Sequence, residues 1–154
     1  MGCGPGVALR RDRPTEHNTE ETQLVSIANY CIIAACALPI ISAGIAKSKG
    51  WGKRRRDGGY DNHQPRAWMA QQHGWQARAD AAQANGFEAL PLFIAGVLAA
   101  QQMGAAQARI DQLALAFVAL RIVYVALYIA DLASLRSLVW AAAWACSAAF
   151  FFLG

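Results

Sequence analysis

Charge is scarce in this sequence. Asp, Glu, Lys and Arg make up 16% of its 154 residues while 56% are hydrophobic, where an ordinary soluble domain carries about 25% charged and about 45–50% apolar residues. That deficit excludes a large separate soluble domain: four apolar spans of about 20 residues would take half the chain and leave only short connections. Histidine is scarcer still. His17, His63 and His73 all lie in polar segments, no Cys/His ligand spacing exists, and no metal site is expected. The chain also lacks a Gly-rich phosphate loop and a GxSxG nucleophile elbow, so nucleotide hydrolysis and serine catalysis have no support. It has no internal repeat, no low-complexity tract and no strand-period alternation.

Cysteine is present without a pattern. Cys31, Cys36 and Cys146 sit in apolar stretches and Cys3 in a polar tail. Cys31 and Cys36, five apart, point to different faces of a helix and form neither a metal nor a redox pair, so the three read as small buried apolar residues. The opening MGCGPG has Gly6 where a myristoylation signal needs Ser or Thr, and no apolar run precedes Cys3. Neither a lipid anchor nor a cleavable signal is expected.

Residues 1–21 are rich in charge, Gly and Pro, and read as a disordered polar tail. From there to 154 the pattern is one membrane domain. Leu24 to Ala46 carries no charge and is long enough to cross a bilayer, with Pro39 predicting a kink. Further apolar helices are expected over about 75–102, 108–130 and 135–153, joined by turns short enough to force antiparallel neighbours. The net charge of +4 is concentrated between Lys47 and Arg66. Beside a membrane span, the Lys53 to Arg56 run fits anionic lipid better than nucleic acid, and the positive-inside rule makes the 47–74 loop cytoplasmic.

Several polar residues interrupt the spans. Asn85 and Glu88 share one helical face, and Arg121, Tyr124 and Tyr128 form a stripe on the next helix. Arg136 opens the last helix, and Arg78 lies two turns before Asn85. Each charge at a helix centre costs about 2.5–3.5 kcal/mol on insertion scales, so lipid-facing positions are excluded for Glu88 and Arg121. The plain structural reading makes Glu88 and Arg121 a buried ion pair with the tyrosines as anchors. The functional reading is a cavity for a charged amphipathic ligand, favoured by the amide beside the carboxylate, the phenols beside Arg121 and the extra Arg136. A third reading is proton or small-ion transport through Glu88 and Arg121. Trp140 and Trp144, i and i+4 on the last helix, read as packing.

Asn85-Gly-Phe-Glu88-Ala-Leu-Pro91-Leu-Phe93, Arg121-Ile-Val-Tyr124-Val-Ala-Leu-Tyr128 and Arg136-Ser137 together resemble the MAPEG family, the membrane-associated proteins in eicosanoid and glutathione metabolism. Tyr60 to Arg66, a YDN-x-x-PR segment, is similar to the bacterial branch. The resemblance covers residues 24 to 153 and implies an all-α, four-transmembrane-helix bundle assembling as a homotrimer, with glutathione pockets at the subunit interfaces. It implies a glutathione-dependent transferase or peroxidase acting on apolar electrophiles or lipid hydroperoxides, with glutathione as co-substrate and no metal. The implied partners are a second copy of the chain, an apolar or lipid-like molecule and membrane lipids, without nucleic acid. The implied location is a bacterial inner membrane. Arg78, Asn85, Glu88, Arg121 and Tyr124 then bind glutathione, and Arg136 and Tyr128 are catalytic, Arg136 as thiolate stabiliser. The family's Arg just before the Asn is replaced here by Ala81 and Ala84, which leaves Arg78 as the nearest candidate, and Lys47 takes the place of an Arg on the first helix. The family also includes a member that presents fatty acid without using glutathione, so a non-catalytic lipid-binding scaffold is the alternative.

Overall fold

The computed structural model of the chain describes residues 1–2 and 25–154, and the tail expected over 1–21 lies outside them apart from its first two residues. Helix α1 spans Ile27–Lys47, with the Ser26 hydroxyl accepting from the Asn29 N–H at its start and Lys47 in its last turn. The basic segment that follows holds two single 3-10 turns, Ser48–Gly50 and Arg55–Asp57, and a short helix α2 at Pro65–Met69. Pro65 opens α2, where its missing N–H costs no hydrogen bond. Helices α3 (Trp75–Gln102), α4 (Gln107–Ile129) and α5 (Ala133–Ala149) complete the chain, α5 running on into a 3-10 turn at Phe150–Phe152. Four of these helices are long and apolar enough to cross a membrane.

Polar contacts define the two ends of the bundle. At one end the Asp111 carboxylate of α4 accepts from the Ala28 N–H at 2.9 Å, placing negative charge at the α1 N-terminus. There the Gln101 amide also donates to Ser26 Oγ and Asn29 Oδ1. At the other end Gln76 donates to the Ala46 carbonyl at 3.0 Å, tying the start of α3 to the end of α1. Trp68 and Met69 of α2 dock on Ala46 and Ala79 beside it.

Between the ends the core is built mainly from alanines and a few aromatics. Phe93 of α3 stacks on Phe117 of α4, centroids 3.9 Å apart, and Phe150 tilts against Phe93. Small residues let the backbones approach closely where no water-driven hydrophobic effect separates helix from lipid. Gly86 is the clearest case, because a Cβ there would lie 2.7 Å from the Pro39 ring of α1. The outer surface is correspondingly apolar, with Ile33, Ile40, Ile41 and Leu138 exposed.

Candidate functional site

The polar residues within the spans converge where α3, α4 and α5 meet. Arg121 is 3% exposed and Tyr124 4%. Arg121 donates from Nη1 to Asn85 Oδ1 at 3.0 Å, and Asn85 Nδ2 in turn donates to Glu88 Oε2 at 3.3 Å. Asn85 therefore uses both ends of its amide, one toward the buried cation and one toward the exposed carboxylate.

The Glu88–Arg121 ion pair of the plain structural reading is not formed among the described residues. Glu88 lies one turn beyond Asn85 on the outer face of α3, whereas Arg121 is directed behind Asn85 into the α1–α3–α4 packing. Both charges nevertheless line one cleft of about 240 Å3, with Asn85 between them. Its apolar wall is Leu92, Phe117, Trp140 and Trp144, and Ser147 also lines it.

A second groove of about 230 Å3 shares Asn85 and Trp140 with the first and brings in Tyr124, Tyr128, Arg136 and Ser137. Along it, cations and rings alternate. The Arg121 guanidinium carbon sits 4.3 Å from the Tyr124 ring centroid, Tyr124 meets Tyr128 edge-on at 5.6 Å, and the Arg136 guanidinium carbon lies 4.2 Å from the Tyr128 centroid. Such cation–π contacts hold a guanidinium over a ring while its N–H groups stay available to a ligand.

Of the seven expected site residues, Asn85, Glu88, Arg121, Tyr124, Tyr128 and Arg136 line these two adjoining spaces. Arg78 lines neither of them. Its Nε donates to the Ile129 carbonyl at 3.1 Å and its Nη1 lies 3.4 Å from the Asp131 carboxylate. Asp131 has φ of 66°, a conformation that costs an L-residue energy. It closes α4 with the Asp131 N–H on the Tyr128 carbonyl and the Leu132 N–H on the Leu127 carbonyl. Arg78 thus clamps the turn from which α5 and Arg136 start.

Residues 27–154 match the MAPEG family. The chain belongs to the MAPEG family. No curated protein and no solved structure matches it. Membership makes this MAPEG chain an integral membrane protein of the group concerned with glutathione and eicosanoid metabolism, in keeping with its four spanning helices. Among the described residues no group of three or more His, Cys, Asp or Glu side chains could hold a metal ion.

Trp140 and Trp144 also line the cleft. They are 45% and 57% exposed and form a wall of the cleft instead of core. The signal was available in the sequence: Arg136, Trp140, Ala143, Trp144 and Ser147 lie on one face of a helix that begins with a site residue.

Proposed function

We propose that this MAPEG protein is a membrane glutathione-dependent transferase or peroxidase acting on apolar electrophiles or lipid hydroperoxides. The observation that carries the reading is that Glu88 and Arg121 line one cleft on either side of Asn85 without pairing with each other. A carboxylate and a guanidinium held apart in one cleft match a zwitterionic ligand. The α-amino group of glutathione pairs with Glu88, and its carboxylates are drawn to the Arg121 side of the cleft and to Tyr124.

The thiol end then falls toward the second groove, where Arg136 stands over Tyr128. A cysteine thiol with pKa of about 8.5 is mostly protonated at neutral pH, and a guanidinium alongside favours the thiolate. The Tyr128 hydroxyl donates to the sulfur or to a developing oxyanion. Arg78 contributes through the turn that it clamps ahead of Arg136. Leu92, Trp140 and Trp144 offer the electrophile an apolar wall reached from the bilayer.

The assembly proposed is a homotrimer with the site at the subunit interface. Glu88 is exposed on a helix apolar enough to span a membrane, and facing lipid would cost about 2.5–3.5 kcal/mol on insertion scales. A second copy covering α3 and α5 removes that cost. The basic 47–74 loop is assigned to the cytoplasm, and the membrane to a bacterial inner membrane.

Calorimetry with glutathione on the detergent-solubilised protein and on Glu88→Gln tests the reading. Binding to wild type that weakens at least about tenfold in the variant, about 1.4 kcal/mol, is expected. A folded, oligomeric wild type that binds no glutathione would favour a lipid-binding scaffold.

A further inference from the structure

The α1–α3–α4 packing encloses a small void that the glutathione reading does not use. Its volume is about 10 Å3, and its lining includes Ala35, Pro39, Ser42, Gly86 and Arg121. A void of roughly this size holds one water when it offers two to four polar partners.

Three such partners are present. Arg121 Nη2 is buried and has no hydrogen-bond partner among the described residues. Pro39 has no N–H, so the carbonyl one turn earlier, at Ala35, lacks its α-helical donor. Ala35 and Pro39 are both buried on the inner face of α1, so lipid headgroups and bulk water do not reach that carbonyl. Ser42, 1% exposed, spends its hydroxyl proton on the Leu38 carbonyl at 3.0 Å, which leaves Oγ free to accept. Arg121, Ala35 and Ser42, which carry this one donor and these two acceptors, all line the same space. A water molecule has two protons and two lone pairs, so it satisfies all three with one lone pair to spare.

We infer that one water is built into this void, accepting from Arg121 Nη2 and donating to the Ala35 carbonyl and Ser42 Oγ. Pro39 and Ser42 are then positioning residues. Through the water they hold the back of the guanidinium, while Asn85 holds Nη1 at the front. Nη2 carries two N–H bonds, and the water takes one of them. Gly86 seals the α3 side, because any side chain there would enter the Pro39 ring. The inference concerns the resting protein and stands whether or not glutathione is the ligand.

The direct test is a high-resolution structure of the full chain in detergent, together with NMR of protein labelled with 15N-arginine. The expected result is one density peak within hydrogen-bonding distance of the three atoms, magnetisation transfer from water to the Arg121 Nη2 protons, and separate Nη1 and Nη2 signals from a slowly rotating guanidinium. Ser42→Val fills the void and removes one acceptor. It should abolish the peak and merge the Arg121 signals while leaving the helical content unchanged, an outcome that loss of packing alone would not give. Should that variant fail to fold, the wild-type density and water transfer decide alone. A dry void in wild type, or Arg121 Nη2 bonded directly to a protein oxygen, would overturn the inference. Glutathione calorimetry on the same wild-type sample separates this failure from a failure of the functional reading.

Discussion

Asn85 accepts a hydrogen bond from Arg121 at 3.0 Å and donates one to Glu88 at 3.3 Å, so one amide on α3 separates two opposite charges that share a cleft. A direct pair would neutralise both. The amide keeps each available to a ligand, and it satisfies one nitrogen of a buried guanidinium that would otherwise be more costly to enclose.

Asn85→Ala should lower stability by about 1–2 kcal/mol, the upper range for polar contacts between membrane helices. Thermal unfolding in detergent checks this. Asn85→Asp keeps an acceptor for Arg121 and should retain most of the stability, while weakening glutathione binding by adding a second negative charge beside Glu88. Equal stability of Asn85→Ala and wild type would show that Arg121 does not depend on this bond.

Arg136 lies over the Tyr128 ring in the second groove, which Glu88 does not line. With a thiol and an electrophile that support turnover, Arg136→Ala should lower kcat by about tenfold or more, equivalent to about 1.4 kcal/mol. The KM for glutathione should change by less than about threefold. Equal losses in affinity and turnover would make Arg136 a binding residue only.

Gly86 meets the Pro39 ring with no room for a methyl group. Gly86→Ala should force α1 and α3 apart and cost about 1–3 kcal/mol, as overpacking does in a dense core. Gly104→Ala is a useful contrast, since Gly104 has open space around it but φ of 71°. Its cost should arise from backbone strain alone, about 1–2 kcal/mol. Unfolding of the two variants in the same detergent tests both values.

Asp61, in the loop outside the spans, titrates below its ordinary value of 3.8. Its desolvation acts upward and is outweighed by the hydrogen bond accepted from the His63 N–H and by the Arg55 guanidinium. A depressed carboxylate contributes its loop contacts above its unfolded pKa and loses them as pH falls through the folded value. The His63 amide resonance should therefore titrate with a midpoint below 3.8, and Asp61→Asn should abolish that step. A midpoint at or above the ordinary value would show that the Arg55 contact does not persist in solution.

Much of the fold was legible from one residue type at a time. Uncharged runs such as Leu24 to Ala46 are long enough to span a bilayer, and a backbone in hydrocarbon must satisfy its own hydrogen bonds, so helices follow from composition and length. The spacing of Asn85 and Glu88, and of Arg121, Tyr124 and Tyr128, likewise fixed which residues share a helical face. Their gathering into two adjoining spaces was foreshadowed by that spacing.

Partner choice was a matter for the tertiary structure. Glu88 and Arg121 carry the charges of an ion pair, yet the rotation of α3 and α4 puts an amide between them. Arg78 sits on the site helix, but its reach takes it to Ile129 and Asp131 at the α4–α5 turn. Trp140 and Trp144 share a face by their spacing, and they form a cleft wall because α5 turns that face toward the space beside α3. Periodicity along a chain tells which side chains point the same way. It does not tell how far one helix is rotated against the next, and at hydrogen-bonding range that rotation decides which polar groups meet.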